Sequence, residues 1–420
     1  MQEKARKVAG VHVLFTVFGA RPHLYPLVPL AWACRAAGHE VRLATVPRMV
    51  DAVTATGLAA AAVGGPPRLP AAARQELADA VFSQEPWPVD WVARIDQLDA
   101  ARLAHLRSVG RYLVAVAEAM VDDLVSYARD WPAHVVVYDS FSYAGPLAAA
   151  AAGVPAVRHL SGTDSAQRLE LDLPGDAPLP EYRRMFDRFG LPALTTPALA
   201  VDPTPPSLRL AAGPRLLGMR FVPYNGAGTH PRELAGRRTR PRVCVTWGHT
   251  IPSAAGTAGA NPFRESVAAL DDLGVDSVVV STAEEIGRLG RLPDSARVAP
   301  SAPLHLVLPY CDAIVHQGGD GTALTAATAA LPQLVISGSP EADLAGGRLA
   351  AAGVATHLYD PVLRRQPDGR AVLREALGTL LAGARYRDAA RRLRAEIEAQ
   401  PAPTELVPEL ATLARRPVRS

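Results

Sequence analysis

Short apolar runs alternate with helical patterns along the first 160 residues of the chain. The segment "VHVLFTVF" (11–18) is rich in β-branched residues, as a strand that is buried on both faces should be. The runs "EVRLATV" (40–46) and "HVVVYD" (134–139) have the same character, and amphipathic stretches lie between them. This alternation predicts βαβ units and therefore a doubly wound parallel sheet in the first half.

Three segments of the first half depart from this alternation. Residues 64–98 carry several prolines and mixed polarity, which favours a long functional loop over core structure. The periodicity from Asp99 to Arg129 predicts one long amphipathic helix. Residues 170–238 are rich in Pro, Gly and Arg, which predicts irregular structure leading into an interdomain connection.

The strand and helix alternation restarts in the second half. Four runs predict further strands: "RVCVTWG" (242–248), "DSVVVST" (276–282), "DAIV" (312–315) and "PQLVIS" (332–337). The last helices of this half run to about Gln400, and residues 401–416 predict one more helix, packed back across the first half. We therefore expect two similar doubly wound domains of roughly 200 residues each.

Charge and cysteine content exclude several classes of protein. The net charge of +3 is small for 420 residues and no basic tract occurs, so neither nucleic acid nor an anionic membrane is an expected partner. Cys34, Cys244 and Cys311 are far apart and fit neither a disulfide framework nor a zinc site. The start of the chain has the pattern of a buried strand rather than a signal peptide, and no apolar run is long enough to span a membrane. We expect a soluble cytoplasmic protein.

The segment "HQGGDGT" (316–322) is the strongest candidate for a ligand-binding loop. It joins a predicted strand to a predicted helix, which is where open α/β sheets bind ligands. Glycines allow close approach to a ligand, and the N–H groups at a helix start favour an anion. The loop lacks the lysine of a Walker motif and the spacing of a dinucleotide fingerprint. On composition alone, phosphate binding and a tight structural turn both remain open.

Four segments together resemble a known family of enzymes. "VHQGGDGTALTAATAALPQLV" (315–335) is similar to the donor-binding segment of nucleotide-sugar glycosyltransferases with the GT-B architecture, whose usual form is H-H-G-G-x-G-T. "PHLYPLVPLAWACRAAGHEVRLAT" (22–45) resembles actinobacterial natural-product glycosyltransferases, and 216–226 and 242–248 resemble the subgroup that attaches deoxysugars to macrolides and related polyketides. The erythromycin desosaminyltransferase type is most similar.

The resemblance implies a GT-B fold, with two doubly wound Rossmann-like domains facing a central cleft. It divides the chain into an acceptor-binding domain (1–215), a linker (216–240), a nucleotide-sugar-binding domain (241–400) and a helix crossing back to the first domain (401–420). The implied reaction is inverting transfer of a deoxysugar from an NDP-sugar, dTDP-linked, to a hydroxyl of a polyketide or other secondary-metabolite aglycone. No D-x-D triplet occurs, so we expect no metal and no other cofactor.

The resemblance also assigns roles to individual residues. His23 matches the catalytic base, and Asp139 matches the carboxylate that orients it and stabilises the imidazolium. The donor-binding positions are Gly248, Thr250, His316, Gly318, Gly319, Asp320, Gly321, Thr322 and Glu341, with Asp343 as the rival of Glu341 for the sugar hydroxyls. The acceptor-binding positions are His159 and Asp164.

Three positions depart from the family pattern. Gln317 replaces a common second histidine, and Ala342 replaces a usual Gln. Asp320 puts a carboxylate where a neutral residue is usual, and we expect it to cap the following helix and point away from the diphosphate.

Other functions stay open at this point. A nucleotide-sugar epimerase or hydrolase would need additional carboxylates around the sugar. A non-catalytic or auxiliary NDP-sugar-binding partner of a glycosyltransferase is a further alternative. The resemblance also implies a cytochrome-like helper protein, and it leaves a homodimer open.

Overall fold

The protein is described here from a computed structural model. The structure describes residues 10–67, 86–163, 168–210, 215–236, 238–247 and 262–415.

The first half is built on a parallel sheet with the strand order β3-β2-β1-β4-β5-β6-β7. The strands are β1 (His12–Thr16), β2 (Glu40–Thr45), β3 (Ala59–Ala62), β4 (Val135–Asp139), β5 (Ala156–His159), β6 (Leu199–Asp202) and β7 (Leu216–Gly218). Val13 on β1 pairs with Val41 on one side and with Val135 on the other. All three side chains are buried, which explains the continuous β-branched runs.

Helices cover both faces of this sheet. They are α1 (Arg21–Leu24), α2 (Val28–Ala36), α3 (Val50–Thr54), α4 (Ala100–Glu118), α5 (Val121–Asp130), α6 (Ala144–Ala152) and α7 (Pro180–Asp187). Short 3₁₀ helices occur at Pro47–Met49, Trp91–Gln97 and Pro206–Leu208. Their buried apolar residues form one continuous core with the strands.

The predicted helix from Asp99 to Arg129 is wrong in one respect, because two helices occupy this segment. The break lies between α4 and α5, where the Ala119 carbonyl accepts a hydrogen bond of 3.1 Å from the Gly65 N–H. Met120, the next residue, is buried against the loop that follows β3. A contact between distant segments therefore ends the helix although the amphipathic period continues.

The segment 170–238 is more regular than its composition predicts. It contains α7, and it adds β6 and β7 to the first sheet. Since β7 (Leu216–Gly218) pairs with β6, the first sheet continues past residue 215. The domain boundaries given above stay a prediction.

The second half contains another parallel sheet, with the order β10-β9-β8-β11-β12-β13. Its strands are β8 (Arg242–Thr246), β9 (Asp276–Val280), β10 (Ala296–Val298), β11 (Ala313–His316), β12 (Gln333–Ser337) and β13 (Ala355–Tyr359). The four predicted strands of this half are present, and β10 and β13 extend the sheet at its edges. The predicted fold class, two doubly wound parallel sheets, is therefore confirmed.

The helices of the second half pack around this sheet and then return to the first. They are α8 (Pro262–Asp272), α9 (Ala283–Arg288), α10 (Leu304–Val307), α11 (Asp320–Thr328), α12 (Pro340–Ala351), α13 (Asp360–Arg364), α14 (Gly369–Ala382), α15 (Ala384–Ala399) and α16 (Pro403–Ala414), with 3₁₀ turns at Arg232–Leu234 and Leu308–Tyr310. Helix α16 packs on α2, and Leu406 and Leu410 join the core of the first half.

The connection between the two halves is held from both sides. The ring of Tyr224 contacts Tyr25 and Trp32 of the first half, with centroid distances of 5.4 and 5.0 Å. The next residue, Asn225, accepts a hydrogen bond of 2.9 Å from the His305 N–H of the second half. Within the described ranges, no helix is both long enough and apolar enough to cross a bilayer.

Candidate active site

The strand order reverses between β1 and β4 in the first sheet and between β8 and β11 in the second. In open α/β sheets, ligands bind at such switch points, beyond the carboxyl ends of the strands. His23 lies in α1 just after β1, and Asp139 is the last residue of β4. The glycine loop follows β11. Both groups of predicted residues therefore lie at switch points.

The structure brings His23 and Asp139 together. The distance from His23 Nδ1 to Asp139 Oδ1 is 3.1 Å, and the carboxylate is fully buried while the His23 side chain is 16% exposed. Because a carboxylate can only accept, Nδ1 carries the proton and Nε2 is left with its lone pair. No other described residue hydrogen-bonds to this ring, so the arrangement suits a general base at Nε2.

Two backbone groups hold the carboxylate of Asp139. The Phe18 N–H donates to Oδ2 over 2.6 Å, and the Phe141 N–H donates to Oδ1 over 3.0 Å. The sequence contains no signal for these donors, because any non-proline residue has an N–H group.

His159, the predicted acceptor-binding residue, lies in a buried position. It ends β5 beside Asp139, it is fully buried, and neither ring nitrogen has a partner among the described residues. Burial lowers its pKa to about 4, so the ring is neutral at physiological pH. No part of the ring is exposed in this structure, and the role of His159 in acceptor binding stays a prediction. Asp164, its predicted companion, lies outside the described residues.

His316 is placed differently from the prediction. The ring is fully buried, Nδ1 accepts a hydrogen bond of 3.1 Å from the Gly318 N–H, and Nε2 lies 2.8 Å from Gln333 Oε1. Burial lowers its pKa to about 4. Both ring nitrogens are therefore already hydrogen-bonded within the protein. The neutral ring supports the glycine loop and has no further N–H to donate to a phosphate.

The glycine loop leaves the start of α11 without a side-chain cap. Gly319 is the N-cap residue and no side chain accepts from the first turn, so N–H groups there are available to an anion. Gly318 has a φ of +94°, and a Cβ at this position would lie 3.0 Å from the Ala342 carbonyl oxygen. A Cβ at Gly321 would meet nothing within 4 Å, so the space next to Gly321 is open.

Asp320 does not cap α11, contrary to the prediction. Its Oδ1 accepts a hydrogen bond of 2.8 Å from the Thr163 hydroxyl, which belongs to the loop after β5 of the first sheet. Burial raises the pKa of Asp320, and the negative charges of Glu341 and Asp202 raise it further. The carboxylate therefore bridges the two domains.

The structure distinguishes the two carboxylates at the start of α12. Asp343 is occupied: Oδ1 accepts from the Ser337 hydroxyl over 3.2 Å and lies 3.3 Å from His357 Nε2, and Oδ2 accepts from the Trp87 N–H over 3.3 Å. Glu341, in the first turn of α12, makes no hydrogen bond to another described residue. Burial lowers the pKa of the half-buried His105, and the charge of Glu341 acts on that pKa in the opposite direction. Glu341 is thus the carboxylate that remains available to a ligand.

Three contacts join the carboxyl-end loops of the two sheets. Besides the bond from Thr163 to Asp320, the Trp91 Nε1–H donates to the Pro340 carbonyl over 3.3 Å, and Trp87 reaches Asp343. The two switch points consequently face one cleft. Gly248 and Thr250, the other predicted donor positions, lie outside the described residues. Residues 10–67, 86–163, 168–210, 215–236, 238–247 and 262–415 contain no cluster of three or more His, Cys, Asp or Glu that could hold a metal ion.

Two Rossmann-like domains that face one cleft, with a buried imidazole–carboxylate pair on one side and a glycine loop on the other, define a GT-B glycosyltransferase. A family model described as "Erythromycin biosynthesis protein CIII-like, N-terminal domain" matches residues 32–248, and the model of the corresponding C-terminal domain matches residues 265–413. The chain is 36% identical to the 10-deoxymethynolide desosaminyltransferase of Streptomyces venezuelae, over 97% of this chain and 99% of that relative.

Solved structures agree with this class. The glycosyltransferase VinC in complex with dTDP is 32% identical and has a TM-score of 0.79, over 97% of this chain and 100% of VinC. The spinosyn rhamnosyltransferase SpnG complexed with spinosyn aglycone is 29% identical and has a TM-score of 0.77, over 95% and 99% of the two chains. The chain belongs to the erythromycin biosynthesis protein CIII-like family of natural-product deoxysugar glycosyltransferases, and it is a glycosyltransferase.

Proposed function

We propose that this enzyme transfers a deoxysugar from a dTDP-sugar to a hydroxyl group of a polyketide aglycone, with inversion at the anomeric carbon. The dTDP complex of VinC supports the choice of nucleotide. The aglycone complex of SpnG and the macrolide-directed desosaminyltransferase relative support the choice of acceptor.

In the proposed reaction, His23 is the base. Its Nε2 takes the proton of the acceptor hydroxyl while the oxygen attacks the anomeric carbon. The bond between that carbon and the diphosphate oxygen breaks, and the nucleoside diphosphate leaves with the electron pair. Asp139 stabilises the imidazolium that forms, since its buried carboxylate lies 3.1 Å from Nδ1.

The departing diphosphate is proposed to bind at the start of α11. The uncapped N–H groups of Gly319–Gly321 and the Thr322 hydroxyl would stabilise its charge, and no metal is needed in this scheme. Gly318 and His316 shape this loop, while Gly248 and Thr250 keep their predicted contact from the other side. Glu341 is proposed to bind the sugar hydroxyls, because Asp343 is already occupied.

The observation that carries the proposal is the hydrogen-bonded pair of His23 and Asp139 at the switch point of the first sheet. In a transfer assay with dTDP-deoxysugars and polyketide aglycones, His23→Ala should lower kcat by about 10²–10⁴-fold, which is the usual contribution of general-base catalysis.

His230→Ala is the matched control, because this histidine is exposed and its hydrogen bond and ring contact are with Tyr310. It should retain the wild-type rate. Full activity of His23→Ala would refute the base assignment. A wild-type chain that binds dTDP but transfers no sugar would favour the non-catalytic alternative. The helper protein and the homodimer stay predictions.

A further inference from the structure

Two phenylalanines contact the catalytic pair in two different ways. Through their backbone N–H groups, Phe18 and Phe141 each donate to one oxygen of Asp139. Through their side chains, the same residues contact the imidazole of His23. The ring centroids of His23 and Phe141 are 4.4 Å apart, and those of His23 and Phe18 are 5.1 Å apart.

The three rings form a compact triangle. The Phe18 and Phe141 centroids are 5.9 Å apart, so the two benzene rings approach the imidazole from two different directions. The interplanar angles of 66° for Phe18 and 58° for Phe141 with His23 are tilted or edge-on, which is a favourable geometry for aromatic pairs. The Phe18 ring is itself contacted by Tyr112 of α4, at 6.4 Å.

A single hydrogen bond to Asp139 does not by itself determine the orientation of the imidazole. The torsion that turns a histidine ring is broad, so the ring could swing, or could turn over and present Cδ2 instead of Nδ1 to the carboxylate. A rotated ring would lose its bond to Asp139, which fixes the tautomer, and would turn Nε2 away from the acceptor, so it could not act as a base. Rings packed at two sides of the imidazole restrict both motions.

We propose that the side chains of Phe18 and Phe141 are positioning residues of the transfer reaction, holding His23 in the orientation and tautomer that present Nε2 to the acceptor. This inference rests on the proposed function of His23 as base. It assigns to the two rings a role in kcat, separate from the binding of donor or acceptor.

The structure offers a direct way to test the rings alone. Because the contacts with Asp139 come from backbone N–H groups, substitution of a Phe141 side chain leaves those donors in place. Phe141→Ala removes the ring nearest to His23, whereas Phe141→Leu keeps an apolar side chain of similar volume. Thermal unfolding of each variant shows whether it is folded.

We expect Phe141→Ala to lower kcat by about 10- to 100-fold, the size of effect that a misplaced catalytic group produces, with the KM for the dTDP-sugar within about twofold. Phe141→Leu should lower kcat by about three- to tenfold. If the alanine variant does not fold, the leucine variant tests the inference. Phe18→Leu should resemble Phe141→Leu.

A second measurement does not depend on substrate. Nitrogen-15 NMR distinguishes the two imidazole tautomers, and His23→Asn identifies the His23 signals among the 11 histidines of the chain. Wild-type protein should show the single tautomer with the proton on Nδ1. Phe141→Ala should show a mixture of the two tautomers.

Wild-type kcat together with a single tautomer in Phe141→Ala would overturn the inference. A higher KM for the aglycone with unchanged kcat and tautomer would also overturn it, because the ring would then only contact the acceptor. If the wild-type chain transfers no sugar at all, the proposed function fails instead, and the tautomer measurement still reports whether the rings orient His23.

Discussion

Asp320 places a negative charge at the start of α11, where the diphosphate of the donor is proposed to bind. Its carboxylate is turned to Thr163 of the first domain, and burial together with the charges of Glu341 and Asp202 raises its pKa. Below that pKa the carboxyl group is neutral and does not repel phosphates bound at the start of the helix. As the pH rises through the raised pKa, the group ionises and repels them.

We expect Asp320→Asn to bind dTDP more tightly than the wild type at pH 8, by about three- to tenfold, since one repulsive charge near the site is removed. The ratio of the dTDP affinities of Asp320→Asn and wild type should approach one as the pH falls below the Asp320 pKa, where the carboxyl group is neutral. Calorimetric titration of both proteins with dTDP between about pH 5 and pH 8, where folded proteins in general are most stable, measures this ratio and cancels the titration of the nucleotide itself.

Thr163→Val is the matched control for that experiment. It removes the hydroxyl that donates to Asp320 but keeps the carboxylate. Because that hydrogen bond lowers the Asp320 pKa, its loss shifts the pKa upward without removing the charge at high pH, so Thr163→Val should show a smaller gain in affinity at pH 8 than Asp320→Asn. Equal dTDP affinities for wild type and Asp320→Asn at every pH would show that Asp320 lies too far from the nucleotide to matter.

For single residues, the sequence predicts which chemical group is present better than it predicts the burial and the contacts of that group. The sequence identifies His316 as the head of the glycine loop, but its bond to Gln333 and its complete burial depend on the neighbouring strand β12. Thr163 gave no signal, since a threonine beside the predicted acceptor residue Asp164 has no motif of its own. Its role follows from a contact with a residue 157 positions away in the chain.

At the scale of an element, the glycine loop between β11 and α11 contains glycines with unequal requirements. Gly318 needs its left-handed φ of +94° and its lack of a side chain, because Ala342 lies against it. Gly321 lies within the first turn of α11, and nothing lies within 4 Å of the position that its Cβ would take.

Gly318→Ala should therefore lower the free energy of unfolding by about 1–3 kcal/mol, because the backbone would be strained and the loop displaced from α12. It should also weaken dTDP binding. Gly321→Ala should leave the unfolding free energy unchanged or raise it by up to about 1 kcal/mol, since alanine is the better helix former. Chemical denaturation and dTDP titration of both variants test this difference. Equal stability of the two variants would contradict it.

The ends of helices and the positions of edge strands depend on contacts between distant segments as well as on the local sequence pattern. The amphipathic period continues from Asp99 to Arg129. The helix nevertheless ends near Ala119, where the Gly65 N–H donates to the Ala119 carbonyl. Strands β6 and β7 lie in a segment whose composition indicates loops. They form because β5 presents an open edge, a property of the sheet rather than of residues 199–218.

At the scale of the whole molecule, the last helix ties the end of the chain to the first domain. Leu410 of α16 is 1% exposed within the core of the first half, whereas its neighbour Glu409 is exposed. The helix follows directly on α15 of the second half, so the chain crosses between the domains a second time.

We expect Leu410→Ala to lower the free energy of unfolding by about 2–4 kcal/mol, the usual effect of a cavity at a buried leucine. Glu409→Ala, on the exposed face of the same helix, should change it by less than about 0.5 kcal/mol. Denaturant unfolding measures both. A Leu410→Ala variant as stable as the wild type would show that α16 does not rest on the first domain.

The sequence by itself determined the two doubly wound sheets and the position of the glycine loop, and its resemblance to a known family singled out His23 and Asp139. The sheets and the loop follow from local patterns, because a buried parallel strand needs a continuous apolar run and a switch-point loop directly follows its strand. Tertiary structure alone decided that His159 and His316 are buried, that Asp320 contacts Thr163, and that Phe141 lies against His23. Each of these features depends on contacts between segments that are distant in the chain. Neither the hydrophobic periodicity nor the composition of a segment specifies which distant segment it will contact.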